Sequence, residues 1–126
     1  MPSRYKFPRA ARIRASADFV RVFEGARRTS APELSLHWLR DGGAPRLGLA
    51  VSRKVDPTAV GRNRIKRQLR ESFRHLRAEL APGAYVVVAR APARSLANEG
   101  VRESFASLLR RAGALPPHDP TGTMTG

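Results

Sequence analysis

Hydrophobic positions recur along this chain at two periods, and the switches between them divide it into elements. Over 33–40, Leu34, Leu36 and Trp38 alternate with Ser35 and His37, the period of a strand with one buried face. Asp41-Gly42-Gly43-Ala44-Pro45 reads as a turn, and over 46–53 Leu47, Leu49 and Val51 alternate with Gly48, Ala50 and Ser52. The two segments are predicted to pair as a hairpin. Beyond Asp56-Pro57 the period lengthens, and Ile65, Leu69, Phe73, Leu76 and Leu80 fall on one helical stripe. A capping Asp56 with Pro57 at the first helical position starts that helix, although Gly61 is a poor helix former and the regular part can begin only there. Pro82-Gly83 stops it. Ala84 to Ala89 is a nearly continuous apolar run, as expected of a central strand covered on both faces. Val101, Phe105, Leu108, Leu109 and Ala112 line a last helix, capped by Asn98 and ended by Gly113. A short first helix is predicted from the Ser16 cap to about Glu24, ended by Gly25.

The predicted order is α-β-β-α-β-α, an α/β (α+β) sandwich of two layers around a small sheet. It divides into a basic arm over 1–15, one folded domain over 16–114, and a tail over 115–126 whose Pro, Gly and Thr content predicts disorder.

Charge narrows the function. Of 126 residues, 24 are Lys or Arg and 10 are Asp or Glu, a formal net charge of +14. Such a domain calls for an anionic partner, nucleic acid first and an anionic membrane surface second. No apolar run approaches a membrane span, and 1–15 lacks the apolar core of a secretory signal. The chain has no Cys, which excludes a disulfide scaffold and a thiolate zinc site and fits a reducing compartment; a cytoplasmic location is expected.

The long helix concentrates the charge. Asn63, Lys66, Arg67, Arg70, Arg74 and Arg77 fall on a face away from the apolar stripe, interrupted only by Glu71 and Glu79. Like charges so spaced repel by a few tenths of a kcal/mol per pair, a cost that a phosphate backbone alongside removes. Ordinary solvated faces mix signs. Arg62 and Arg64 flank Asn63 near the helix start, where free N–H groups and the dipole favour a phosphate.

Arg46-Leu47-Gly48-Leu49-Ala50-Val51-Ser52-Arg53-Lys54-Val55, followed by Gly61-Arg62-Asn63-Arg64-Ile65-Lys66-Arg67-Gln68-Leu69-Arg70-Glu71, resembles the signature of the bacterial ribonuclease P protein family. Phe7-Pro8, Asp18-Phe19, Val22-Phe23 and Arg27-Arg28 are similar to that family's first helix and its flanks, and the likeness extends to about Leu115. Two local departures stand out. The connection from Val55 to Gly61 is one residue longer than usual, with Gly61 where a bulkier residue is common, and Gly25 comes one residue early.

The resemblance implies a mixed sheet with a left-handed βαβ crossover. It also implies a role as protein subunit of the ribonucleoprotein that removes the 5′ leader from precursor tRNA. In that family the RNA subunit holds the catalytic site and uses magnesium; the protein binds no cofactor, improves substrate binding and lowers the magnesium requirement. The expected partners are ribonuclease P RNA, in a 1:1 complex, and precursor tRNA, with neither membrane nor DNA. Arg62, Asn63, Arg64, Lys66, Arg67, Arg70 and Arg74 would meet the RNA subunit. Phe19, Phe23, His37, Ser52, Arg53 and Lys54 would hold the leader in a cleft between the first helix and the sheet, with Gly48, Ala50 and Ser52 keeping that face low. Phe19 and Phe23, spaced i, i+4, suit core packing as well as base stacking. No catalytic residue is expected in the protein: its acidic residues stand singly, and His37, His75 and His118 lie far apart. Two other readings share the charge: a structural, ribosomal-type RNA-binding protein, and a DNA-binding regulator. The second is disfavoured because no helix-turn precedes the basic helix.

Overall fold

A computed structural model describes residues 22–115. The basic arm, Phe19 and the tail beyond Leu115 lie outside the described residues. Residues 22–25 are helical. Four strands follow in a mixed sheet: β1 (Arg27–Ser30), β2 (Leu34–Leu39), β3 (Arg46–Ala50) and β4 (Ala84–Ala89), in the spatial order β1-β2-β4-β3. Helix α1 (Ala59–Leu76) connects β3 to β4, and α2 (Asn98–Arg111) follows. Among the described residues no helix is long and apolar enough to cross a membrane.

Strands form within both predicted segments, β2 over 34–39 and β3 over 46–50, with Val51 to Arg53 beyond the strand, but the two do not form the predicted hairpin. The central strand β4 lies between them, antiparallel to β2 and parallel to β3. Its apolar run explains the placement. Ala84, Tyr85, Val86, Val87 and Ala89 are all buried, and a strand that is apolar on both faces needs cover on both. Strand β1 was not predicted, because Arg27-Arg28-Thr29-Ser30 carries no apolar alternation. It adds to the β2 edge with Arg28 opposite His37 and Ser30 opposite Ser35.

Alternation divides the sheet into two faces. The inner face, with Leu34, Leu36, Trp38, Leu47, Tyr85 and Val87, packs on Ile65, Leu69 and Phe73 of α1 and on Val101, Phe105, Leu108 and Leu109 of α2. Trp38 stacks on Tyr85 at 5.4 Å and donates from Nε1 to the Pro82 carbonyl at 3.2 Å. Desolvation raises the Tyr85 pKa, and its hydroxyl donates to the Ala81 carbonyl. On the outer face Val22, from the first helix, packs on Ala84 and Val86.

Two boundaries differ from expectation. The helix α1 stops at Leu76, and a 3-10 turn over Arg77–Glu79 carries the chain to a buried Leu80. Leu115, assigned to the tail, is buried, and its N–H bonds the Leu109 carbonyl at 3.3 Å.

Candidate nucleic-acid interface

The start of α1 is built by a carboxylate. Thr58, not Asp56, is the N-cap, and its Oγ1 accepts from the Gly61 N–H at 3.1 Å. Asp56 lies one layer behind: its Oδ1 accepts from the Thr58 N–H at 2.9 Å and from the Thr58 hydroxyl at 2.8 Å. Its side chain is almost buried and stands against Gly61, where an added Cβ would lie 1.8 Å from Oδ2. The longer connection and Gly61 are therefore one feature: glycine leaves the space that the carboxylate fills. A negative group already lies against the first turn where a phosphate was expected, so side chains are left as the phosphate donors of this corner.

Bonds from the Thr58 N–H, then its hydroxyl, hold the Asp56 carboxyl below its ordinary pKa, with Arg94 and Arg62 adding to the effect. The folded form therefore binds that proton less readily than the unfolded chain. Its contribution is fully present above the ordinary carboxylate pKa and is lost as pH falls through the depressed one. The stability difference between the natural protein and Asp56→Asn is accordingly expected to be largest near neutrality and to shrink in acid. Urea melts of both proteins across that range check it; a difference independent of pH would refute this account.

The seven residues expected to meet the RNA subunit divide into two groups. Asn63, Lys66, Arg67, Arg70 and Arg74 share the outward stripe of α1, with Asn63, Arg67 and Arg70 exposed. Arg74 is ion-paired to Glu71, which also contacts His75 at 3.2 Å. Arg62 and Arg64 turn to opposite sides of the helix. Arg62 donates from one terminal nitrogen to the carbonyls of Asp56 (3.1 Å) and Pro57 (3.0 Å). Arg64 reaches Asn98 Oδ1 at 2.9 Å and the Arg94 carbonyl at 3.3 Å. Both thus brace the connection and the start of α2, while a guanidinium retains further donors. Arg77 leaves the stripe and bonds the Pro45 carbonyl at 3.0 Å. Sequence reasoning missed Arg94, whose Nε lies 3.8 Å from Asp56 Oδ2; a lone Arg among Ala, Pro and Ser gives no periodic signal.

The leader residues gather on the outer sheet face and at the end of β3. Phe23 is 44% exposed and meets His37 edge-on, with ring centroids 4.8 Å apart. Phe19 lies outside the described residues. Desolvation, then the charge of Arg28, lowers the His37 pKa. Ser52, Arg53 and Lys54 are exposed in the turn after β3. Gly48, expected to keep this face low for RNA, is itself buried. The accessible floor is instead the next row across the sheet, where Ser30, Val88 and Ala50 are half-buried and Ser35 lies beneath. This trough is bounded by the Phe23–His37 pair on one side and leads to Ser52 at the β3 end. Arg28, at the β1 end, was also missed.

Comparison with known proteins agrees with this architecture. The ribonuclease P family model matches residues 7–113. The ribonuclease P protein component of Xanthomonas oryzae pv. oryzae is 59% identical over 119 residues, covering 94% of this chain and 82% of the relative. That of Xylella fastidiosa is 50% identical, covering 92% and 86%. Among solved structures, a Staphylococcus aureus RNase P protein superposes with a TM-score of 0.81 at 28% identity, covering 85% of this chain and 99% of that one. The Thermotoga maritima protein in complex with 1-(4-fluorophenyl)-2-thiourea gives 0.72 at 28% identity, covering 79% and 97%. The motif from Arg46 to Glu71, the mixed sheet that carries it and these likenesses coincide, and the chain belongs to the bacterial ribonuclease P protein family.

Proposed function

We propose that this chain is the protein subunit of a ribonuclease P ribonucleoprotein in the cytoplasm, one copy per RNA. It holds the catalytic RNA along the outer stripe of α1 and the single-stranded leader in the trough of the outer sheet face. The observation that carries this reading is the position of the turn that connects the two surfaces. Ser52, Arg53 and Lys54 lie where β3 ends, between the trough and the start of α1. A leader attached to a tRNA seated on the RNA subunit would enter there. The cations along this path attract phosphate without reading sequence, and exposed rings stack on any base, so varied leaders are accepted. The chain supplies binding and charge neutralisation rather than a reacting group. Magnesium belongs to the RNA subunit, and added Lys and Arg reduce the metal needed to offset phosphate repulsion.

The test is reconstitution with a bacterial ribonuclease P RNA at low magnesium. The protein alone is expected to leave precursor tRNA intact, and adding it to the RNA to restore 5′ cleavage. Cleavage by RNA-free protein, or an RNA whose low-magnesium activity the protein leaves unchanged, would overturn the proposal.

A further inference from the structure

The outer face carries a cation that the leader residues above do not include. Arg28 lies at the β1 edge, in register with His37 on β2. Its Nε donates to two hydroxyls, Ser30 Oγ at 3.0 Å and Ser35 Oγ at 3.3 Å. Ser35 is buried and also contacts His37 Nε2 at 3.2 Å. The guanidinium is thus tied through Nε to a floor fixed by the sheet, which leaves the N–H groups of its terminal nitrogens as further donors. Among the described residues no carboxylate pairs with Arg28. A fixed guanidinium presenting its terminal nitrogens matches a phosphodiester, which accepts two parallel N–H bonds. Desolvation, then the charge of Arg28, lowers the His37 pKa, and that ring meets Phe23 edge-on beside the guanidinium.

Position gives the site its role. Arg28 and the Ser52–Lys54 turn stand at opposite ends of the trough, with β2, β4 and β3 succeeding β1 across it. Three inter-strand spacings make that crossing about 14 Å. Resting on the reading of the trough as the leader path, we infer that Arg28 is the distal phosphate contact of the leader, engaged only when the leader is long enough to cross the sheet. A short leader would meet Ser52, Arg53 and Lys54 alone. A longer one would stack against Phe23 and His37 and then place a backbone phosphate on Arg28.

The experiment uses the reconstituted holoenzyme and precursor tRNAs carrying a ladder of leader lengths, from a single nucleotide upward. For the natural protein, affinity should rise with leader length. Arg28→Gln should match it on the shortest leaders and fall behind by about three- to tenfold once the leader spans the trough, with a salt slope shallower by somewhat under one unit. Arg28→Lys, which keeps the charge without the fork, should retain the slope and recover part of the affinity. Arg27→Gln is the control, since Arg27 pairs with Trp38 and points to the other face. An Arg28→Gln protein that follows the natural one at every length, or an Arg27→Gln protein with the same deficit, would overturn the assignment of Arg28. If the natural holoenzyme gains nothing from a leader of any length, the leader path itself is wrong.

Discussion

Gly61→Ala is expected to destabilise the domain by about 1–3 kcal/mol, the usual cost of overpacking, although alanine normally gains about 1 kcal/mol over glycine inside a helix. The reversal comes from Asp56. An added Cβ would meet its Oδ2 at 1.8 Å, its Cγ at 2.4 Å and its Oδ1 at 2.9 Å. The carboxylate has only a short stem and is held by two bonds from Thr58. To make room it must leave Thr58 and move away from Arg94, and the connection that accepts the two bonds of Arg62 shifts with it. Affinity for the RNA subunit should therefore fall together with stability. A double-mutant cycle isolates the cause. With Asp56→Ala already in place the space is empty, and Gly61→Ala should become neutral or stabilising by up to about 1 kcal/mol. Urea denaturation of the four proteins measures the coupling. Equal penalties in both backgrounds would place the strain elsewhere.

Residues 56–61 show where the sequence was legible and where it was not. Periodicity located the helix, because Ile65, Leu69 and Phe73 must share one buried stripe whatever surrounds them. It also located β2, β3 and β4. It could not reveal partners: Leu47 is buried whether β3 pairs with β2 or with β4, so alternation alone left the hairpin and the parallel arrangement equally good. The two-sided apolarity of β4 was the one hint of its central place. Strand β1 escaped because an edge strand is held through its backbone, and Arg27 to Ser30 needed no apolar side chains to pair with β2. At the site, residue type and helical spacing brought Asn63, Lys66, Arg67, Arg70 and Arg74 onto one stripe. The internal duties of Arg62 and Arg64 stayed hidden, since their acceptors are backbone carbonyls of the connection and groups about thirty residues away, at Arg94 and Asn98. Arg28 was hidden for the same reason: its meaning depends on Ser35 and His37, which only strand register places beside it.

Replacing Lys66, Arg67 and Arg70 together by Gln should lower affinity for the ribonuclease P RNA about a hundredfold and flatten the log–log salt slope by about two units. The three share the outward stripe of α1, away from the buried Ile65, Leu69 and Phe73. A phosphate that no side chain neutralises keeps its counterions, and the slope counts the counterions released on binding. The fold should survive, since all three side chains lie off the buried stripe of Ile65, Leu69 and Phe73. A melting temperature close to the natural one would separate weakened binding from damaged structure. Phe23→Ala should show the opposite signature. A stacked base contributes about 1–3 kcal/mol and releases few ions, so binding of leader-bearing substrate should weaken with the slope nearly unchanged and affinity for the RNA subunit preserved. The same is expected of Phe19→Ala on the family pattern. At 44% exposure Phe23 should cost less on truncation than the roughly 3–5 kcal/mol of a fully buried ring, so the variant should fold. The pair of results is decisive because the two surfaces lie on opposite sides of the sheet. If the triple variant keeps its slope, the α1 stripe does not meet phosphate. If Phe23→Ala unfolds the domain, or leaves the preference for leader-bearing substrate intact, the ring belongs to the core and the leader does not pass over it.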